Sequence, residues 1–277
     1  MSVIGTGGTI ASTTVPGRDI ALPELTPADV LSRFDLPDVT VTPIDLLHHG
    51  SNTLTVDHLL TVVKEVRVQF AAGADAVVIT QGTATLPETS YLYDLLLGDC
   101  PPVVCTGAMR PMSDLAPDGP GNLRDSLAFA VASVDVRRGV YVVIDGGIHA
   151  PIDVLKLHGA TSAGFESPGV GVLGWIDYGQ VRIRRERRVR RRTFDGLVRE
   201  VELLYAAFDA SPTVVDCIQR SEEVRGLVVA GFPGRGAVSS DWMEPLTRYL
   251  GSGRPLLFTV PSLTGRVVAK HGAKATA

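Results

Sequence analysis

The sequence predicts an α/β protein of two domains, the larger one an N-terminal parallel sheet with flanking helices, the smaller one a C-terminal α/β domain. Three observations predict it. Short β-branched runs alternate with longer amphipathic stretches, as a chain of βαβ units requires. Over 277 residues, 45% hydrophobic and 20% charged side chains support a buried core and exclude a disordered chain. The alternation is interrupted by RIRRERRVRRR (182–192) and resumes beyond it.

Each element follows in order. VIGTGGTIAS (3–12) is a strand running into glycines, and VTVTPID (39–45) is a second strand. VDHLLTVVKEVRVQFAAG (56–73) has apolar residues at helical spacing and a glycine stop, so it is a helix. AVVIT (76–80), PPVVCTGA (101–108) and GVYVVID (139–145) are strands. GNLRDSLAFAVASV (121–134) is a helix that opens after a D-G-P-G turn. The run 182–192 holds eight arginines in eleven residues. It reads as a nucleic-acid patch or as a solvated linker, strand or edge; no aromatic or RNA-binding signature surrounds it, which favours the linker. From about Leu203 a strand–helix–strand pattern starts again, with GLVVAGF (226–232), a helix in EPLTRYLGSG (244–253) and PLLFTV (255–260). The expected division is 1–181 for the N-terminal domain with the active site, 182–196 for the Arg-rich linker and 197–277 for the smaller domain. The ending HGAKATA (271–277) reads as polar and structureless.

Composition excludes several classes of function. A formal net charge of −4 argues against a surface built to neutralise nucleic acid. Cys100, Cys105 and Cys217 are too few and too scattered for a disulfide framework. No apolar run reaches the roughly 18 residues of a membrane helix, and MSVIGTGGTI shows no basic n-region, apolar h-region or cleavage site. The expectation is a cytoplasmic protein without nucleic-acid or membrane partners. His48, His49 and His58 lack a carboxylate at ligand spacing, so no metal is expected, and nothing points to a nucleotide or organic cofactor.

Three places carry chemistry. In VIGTGGTIAS, glycines let the backbone approach a ligand, exposed N–H groups hold developing negative charge, and Thr9 is raised as a candidate nucleophile or a simple turn cap. A dinucleotide fingerprint would need Gly or Ala where Ile10 stands and an acid about 20 residues on, so an oxidoreductase is disfavoured. In VVITQGTATLPETSYLYD (77–94), Thr80, Thr83 and Thr85 cluster at the carboxyl end of a strand, where open α/β sheets place ligands or where threonines cap helices. In PIDVLKLHG (151–159), Lys156 follows a strand in an apolar stretch, either snorkelling to the surface or desolvated enough to act as a base.

Taken together and in order, these pieces resemble the bacterial L-asparaginase family, two-domain amidohydrolases with a threonine nucleophile. TGGTIAS (6–12) resembles the first active-site signature of that family and VVITQGTATLPETSYLYD the second. TGAMRP (106–111), DGPGNL (118–123), DVLKLH (153–158) and GSN (50–52) are further points of likeness, and AGF (230–232) and TGRV (264–267) extend it more loosely. The resemblance implies that Thr9 attacks a side-chain amide, releases ammonia and leaves an acyl-enzyme that water hydrolyses. It implies that Thr83 and Lys156 form a second hydroxyl–base pair, and that Ser51 and Asn52 hold the substrate's carboxylate and amino group. Gly8, Gly82 and Ala84 then line the substrate, the first two beside N–H groups that stabilise the oxyanion.

The departures matter equally. Ala84 stands where the resemblance implies an aspartate that binds the substrate ammonium and joins the Thr–Lys relay. Gln81 replaces a histidine, STTVPGRDIALPEL (12–25) has no match for the lid tyrosine, and GFPGRGAVSS (231–240) none for the asparagine given to a neighbouring site. A terminal strand and helix are also implied but not found, so a shortened C-terminus is expected. The activity expected is ammonia release from L-asparagine or a related small amide. The alternatives are an amidase for substrates without a free α-amino group, and a weak or inactive homologue that binds without turnover. A homo-oligomer, dimer or tetramer, is implied as well.

Overall fold

The computed structural model describes residues 1–14, 17, 21–33, 39–134, 137–187, 194, 196–233, 235–264 and 267. The chain divides into two compact units, Met1–Asp195 and Gly196–Ala277. The ending HGAKATA lies outside the described residues, as do Gly265 and Arg266.

The first unit opens with β1 (Ser2–Gly5), then a hairpin of β2 (Ser12–Thr14) and β3 (Ala21–Pro23), and the short helix α1 (Pro27–Leu31). Thr26 begins α1 with a capping box, its side chain accepting from the Asp29 amide while the Asp29 carboxylate accepts from the Thr26 amide. β4 (Thr42–Asp45), α2 (Val56–Ala71), β5 (Val77–Thr80), α3 (Leu86–Leu97), β6 (Val103–Thr106), α4 (Gly119–Ser133) and β7 (Val140–Ile144) follow as successive βα units. α4 starts two residues before the sequence suggests, because Pro120 suits a first helical turn, where an N–H would lack a partner anyway. β8 (Gly147–His149), β9 (Leu155–Lys156), β10 (Phe165–Glu166), β11 (Gly174–Asp177) and β12 (Gln180–Ile183) close the unit.

Eight strands form one sheet in the order β12-β11-β8-β7-β6-β5-β1-β4. The run from β4 to β7 is parallel, and β8, β11 and β12 extend it antiparallel. After β1 the chain crosses to one side for β4, then returns to the other side for β5, so the order reverses between β1 and β5. Open sheets bind their ligands outside the carboxyl ends at such a reversal. Val3, Val78, Val104, Tyr141 and Val143 form one core cluster with Val30 of α1 and Leu123, Leu127 and Phe129 of α4. The alternate residues Ile4, Val77, Ile79, Val103, Cys105 and Val142 are buried as well. Burial on both faces is what a parallel sheet demands.

The linker expected over 182–196 needs a correction in its first part. Arg182 lies in β12, Arg185 pairs with Asp153 at 3.0 Å, and Arg187 is buried against Asp94 at 2.6 Å with its guanidinium 5.0 Å over the Tyr141 ring. Arg187 also donates to the Val140 carbonyl. A buried carboxylate at Asp94 needs a cation, and these contacts hold Arg185 and Arg187 against the first unit, while Arg182, Arg184 and Glu186 stay exposed. Residues 188–193 and 195 lie outside the described residues.

The second unit is a parallel sheet of β13 (Val201–Tyr205), β14 (Gly226–Ala230) and β15 (Leu256–Thr259), with α5 (Thr213–Arg220) and α6 (Met243–Gly251). Val215, Leu227, Val229, Trp242, Leu246 and Tyr249 make its core.

Candidate active site

Four turns leave the carboxyl ends of adjacent parallel strands and meet. Behind β1, the turn Thr6–Gly8 leads into a short 3-10 segment Thr9–Ala11. The loop after β4 folds back over it, with the Leu46 and Leu47 amides donating to the Gly5 carbonyl and the His49 amide to that of Thr6. Ser51 follows in its own 3-10 turn, Ser51–Thr53. The turn after β5 carries Gln81–Thr85, and that after β6 carries Gly107–Arg110.

Glycine is required where the first and third turns touch. Gly8 has φ +78°, and a Cβ there would run into the amide nitrogen and Cα of Gly82. A Cβ at Gly82 would meet Ser51, 2.8 Å from both its amide nitrogen and its Oγ. Three of the four turns are thus in backbone contact, and Thr9 and Thr83 each directly follow a glycine of that contact. The Ser12 hydroxyl donates to the Gly8 carbonyl at 2.8 Å and fixes the first turn.

Thr83 and Lys156 come together. The Lys156 Nζ donates to Thr83 Oγ1 at 2.8 Å, across 73 residues of sequence. Lys156 reaches it from the β9–β10 hairpin, where it pairs with Phe165 and lies 5.8 Å from that ring's centroid. Burial lowers the Lys156 pKa below the usual lysine value, favouring the neutral amine that can take a proton. Ser51 and Ala84 also come together, the Ala84 amide donating to Ser51 Oγ at 3.1 Å. Thr85 opens α3 without capping it; its hydroxyl donates instead to the Ser51 carbonyl at 3.3 Å.

The remaining positions sit less tightly. Thr9 is half-buried, and its hydroxyl makes no hydrogen bond to Thr83 or Lys156 among the described residues. Asn52 and Ala84 are exposed. Gln81 is buried and donates to the Thr89 hydroxyl of α3 at 2.6 Å.

Sequence reasoning missed three contributors. Met109 Sδ lies 3.4 Å from Thr83 Oγ1. Asp118 holds the Met109 turn, its carboxylate accepting from the Met109 amide at 2.9 and 3.1 Å and from the Arg110 amide at 2.8 Å. Asn122 donates to the Gly107 carbonyl at 2.9 Å and to Asp118 at 3.2 Å, and accepts from the Asp145 amide at 2.9 Å. DGPGNL reads as a turn and as a point of family likeness; Asp118 precedes α4 without capping it, so neither reading signals that its carboxylate binds the Met109 and Arg110 amides.

Among the described residues no cluster of three or more histidines, cysteines or carboxylates has the arrangement of a metal site, and no helix is long and apolar enough to cross a membrane.

Comparison with known proteins shows what this chain and its fold are similar to. The family model described as "Asparaginase, N-terminal" matches residues 1–189. The chain is 30% identical over 277 residues to an L-asparaginase of Bacillus licheniformis, covering 98% of this chain and 84% of that protein. It is 38% identical over 187 residues to a probable L-asparaginase of Deinococcus radiodurans, covering 64% of this chain and 53% of that one. A crystal structure of a probable cytoplasmic L-asparaginase from Campylobacter jejuni superposes with a TM-score of 0.84 at 26% identity, over 98% of this chain and 85% of that chain. The class is therefore a two-domain α/β amidohydrolase. Within it, the chain belongs to the asparaginase family.

Proposed function

We propose that the protein releases ammonia from a small side-chain amide through an acyl-enzyme on Thr9. The Thr9 oxygen forms a bond to the amide carbon, and the carbonyl oxygen becomes an oxyanion beside the N–H groups of the Gly8 and Gly82 turns. The C–N bond then breaks, nitrogen leaves as ammonia with the hydroxyl proton, and an ester remains. Water adds to that ester, the bond to Thr9 breaks, and Thr9 regains a proton. Two easier acyl transfers replace one difficult hydrolysis. Thr83 and Lys156 relay the protons, while Ser51 and Asn52 hold the polar end of the substrate. The observation that carries this reading is the Lys156 amine 2.8 Å from the Thr83 hydroxyl, on a turn pressed against the Gly8 turn. The chain works in the cytoplasm as a homo-oligomer, a dimer or tetramer.

Ala84 favours a second statement about the substrate. Its side chain is an exposed methyl group beside Ser51, where the family resemblance implies a carboxylate. A substrate ammonium there loses a charge-assisted partner, a loss of about 1.5–3 kcal/mol. Amides without a free α-amino group, such as succinamate or N-acetylasparagine, lose nothing. Ammonia release from L-asparagine, succinamate and N-acetylasparagine tests both points. The expected result is kcat/KM for succinamate at or above that for L-asparagine, with Ala84→Asp raising the L-asparagine value by about 10- to 100-fold. Efficient L-asparagine turnover unaffected by Ala84→Asp contradicts the altered specificity, and no release from any of the three contradicts the enzyme.

A further inference from the structure

A threonine hydroxyl has one proton to give and two lone pairs to offer. At Thr83 two partners stand against that one oxygen, Lys156 Nζ at 2.8 Å and Met109 Sδ at 3.4 Å. When Lys156 is an ammonium it donates to a Thr83 lone pair, and the Thr83 proton is left to the sulfur. When Lys156 is a neutral amine, the Thr83 proton turns to its nitrogen and the sulfur is released. The partner of the Thr83 proton therefore changes each time Lys156 gains or loses a proton.

We infer that Met109 is a positioning residue, a deliberately weak acceptor that holds the Thr83 proton while Lys156 is charged and gives it up when Lys156 is neutral. This rests on the reading of Thr83 and Lys156 as the proton relay. A thioether suits the task because it accepts weakly. A carbonyl in its place would bind the Thr83 proton strongly and lock Lys156 in its charged form; a hydrocarbon would leave that proton without an acceptor. Leucine fills a gap of this size as well as methionine does, so packing alone does not call for sulfur. The position is also built: Asp118 accepts from the amides of Met109 and Arg110, and Asn122 ties Asp118 to the Gly107 carbonyl and the Asp145 amide. Among the described residues the Thr83 hydroxyl and the Phe165 ring face the Lys156 amine, and the cause of its lowered pKa is burial.

The test is a pair of substitutions with opposite signs. The chain has four lysines, Lys64, Lys156, Lys270 and Lys274, so a protein labelled with 13C at lysine Cε gives a simple spectrum in which Lys156 is assigned by its loss in Lys156→Met. Met109→Leu removes the acceptor and should lower the Lys156 titration midpoint by about half a unit. Met109→Gln supplies a stronger acceptor and should raise it by about one unit. The ascending limb of kcat/KM against pH should move the same way in each variant. Two midpoints within about 0.2 unit of the parent, or two shifts of the same sign, overturn the inference. Should Met109→Gln fail to fold, the midpoint of Met109→Leu decides alone. Ammonia release that survives Lys156→Met would defeat the proposed function, whereas the titration still reports whether Met109 tunes the amine.

Discussion

In the first unit the parallel strands β5 and β6 and the neighbouring β7 bury every residue, whereas in the second β13 and β15 leave Val201, Leu203, Tyr205 and Leu257 at the surface. Both sheets are parallel and both carry helices. The difference lies in cover: the first has core residues on alternate sides of its central strands β1, β5, β6 and β7, while the described helices of the second, α5 and α6, contribute to one shared core cluster. A sheet held on both faces fixes the ends of its strands, and a turn fixed in this way can hold two side-chain polar groups at 2.8 Å. The polar convergence of the molecule accordingly sits on the first sheet, at the reversal of strand order.

That contrast can be broken most sharply at the ion pairs. Arg187 and Asp94 are fully enclosed in the first unit, with 3% and 4% of their side chains exposed. Arg187→Met removes one partner and leaves a buried carboxylate, which should cost about 3–5 kcal/mol and lower the Tm of the first unit by several degrees. Calorimetry checks this, and a Tm within a degree of the parent would show that the pair does not secure the chain at Arg187.

Acid should act on the first unit next. Burial, aided by Arg185, pushes the His149 pKa down from 6.5 to about 4, while Asp153 opposes the shift; Nδ1 is 2.9 Å from the Ser167 hydroxyl. The folded form therefore holds fewer protons than the unfolded chain between these values, and stability must fall as pH drops through that window. With the pKa shifted from 6.5 to about 4, the loss is about 3 kcal/mol when complete. It begins as pH falls through the unfolded value of 6.5 and vanishes well above it. His149→Gln should flatten the dependence of Tm on pH between 4 and 6.5, and an unchanged slope would place the acid-sensitive group elsewhere.

The smallest effect belongs to the second unit. Arg248 makes comparable contacts with Asp216 at 2.8 Å and Glu244 at 2.6 Å, but in water. Exposed pairs are screened and contribute little. Arg248→Met should leave Tm nearly unchanged, and a drop as large as that of Arg187→Met would remove burial as the explanation.

Much of this was legible in the residues. The strands β1, β4, β5, β6, β7, β14 and β15 announced themselves as β-branched runs, and α2 by its apolar spacing and its glycine stop at Gly73. α3 did not, because Thr89, Ser90 and Asp94 are buried along with Leu86 and Leu96, and polar residues on the covered side blur the apolar stripe. The hairpin of β9 and β10 has two-residue strands, too short for an alternating pattern, yet it is what carries Lys156 to Thr83. Thr9, Thr83 and Lys156 each carry an ordinary structural reading beside the chemical one, as turn cap, helix cap and snorkelling lysine, and only the ordered family resemblance joins them into one site. Met109 and Asp118 could not, since their roles depend on a long-range contact and on the path of a turn, neither of which leaves a periodic trace.

The central claim is that the side chain of Thr9 becomes acylated. Acid quenching during turnover of succinamate, followed by peptide mass spectrometry, tests it directly. A succinyl ester is expected on the peptide containing Thr9, lost together with ammonia release in Thr9→Ala. An ester on Thr83 instead, or undiminished ammonia release by Thr9→Ala, would contradict it.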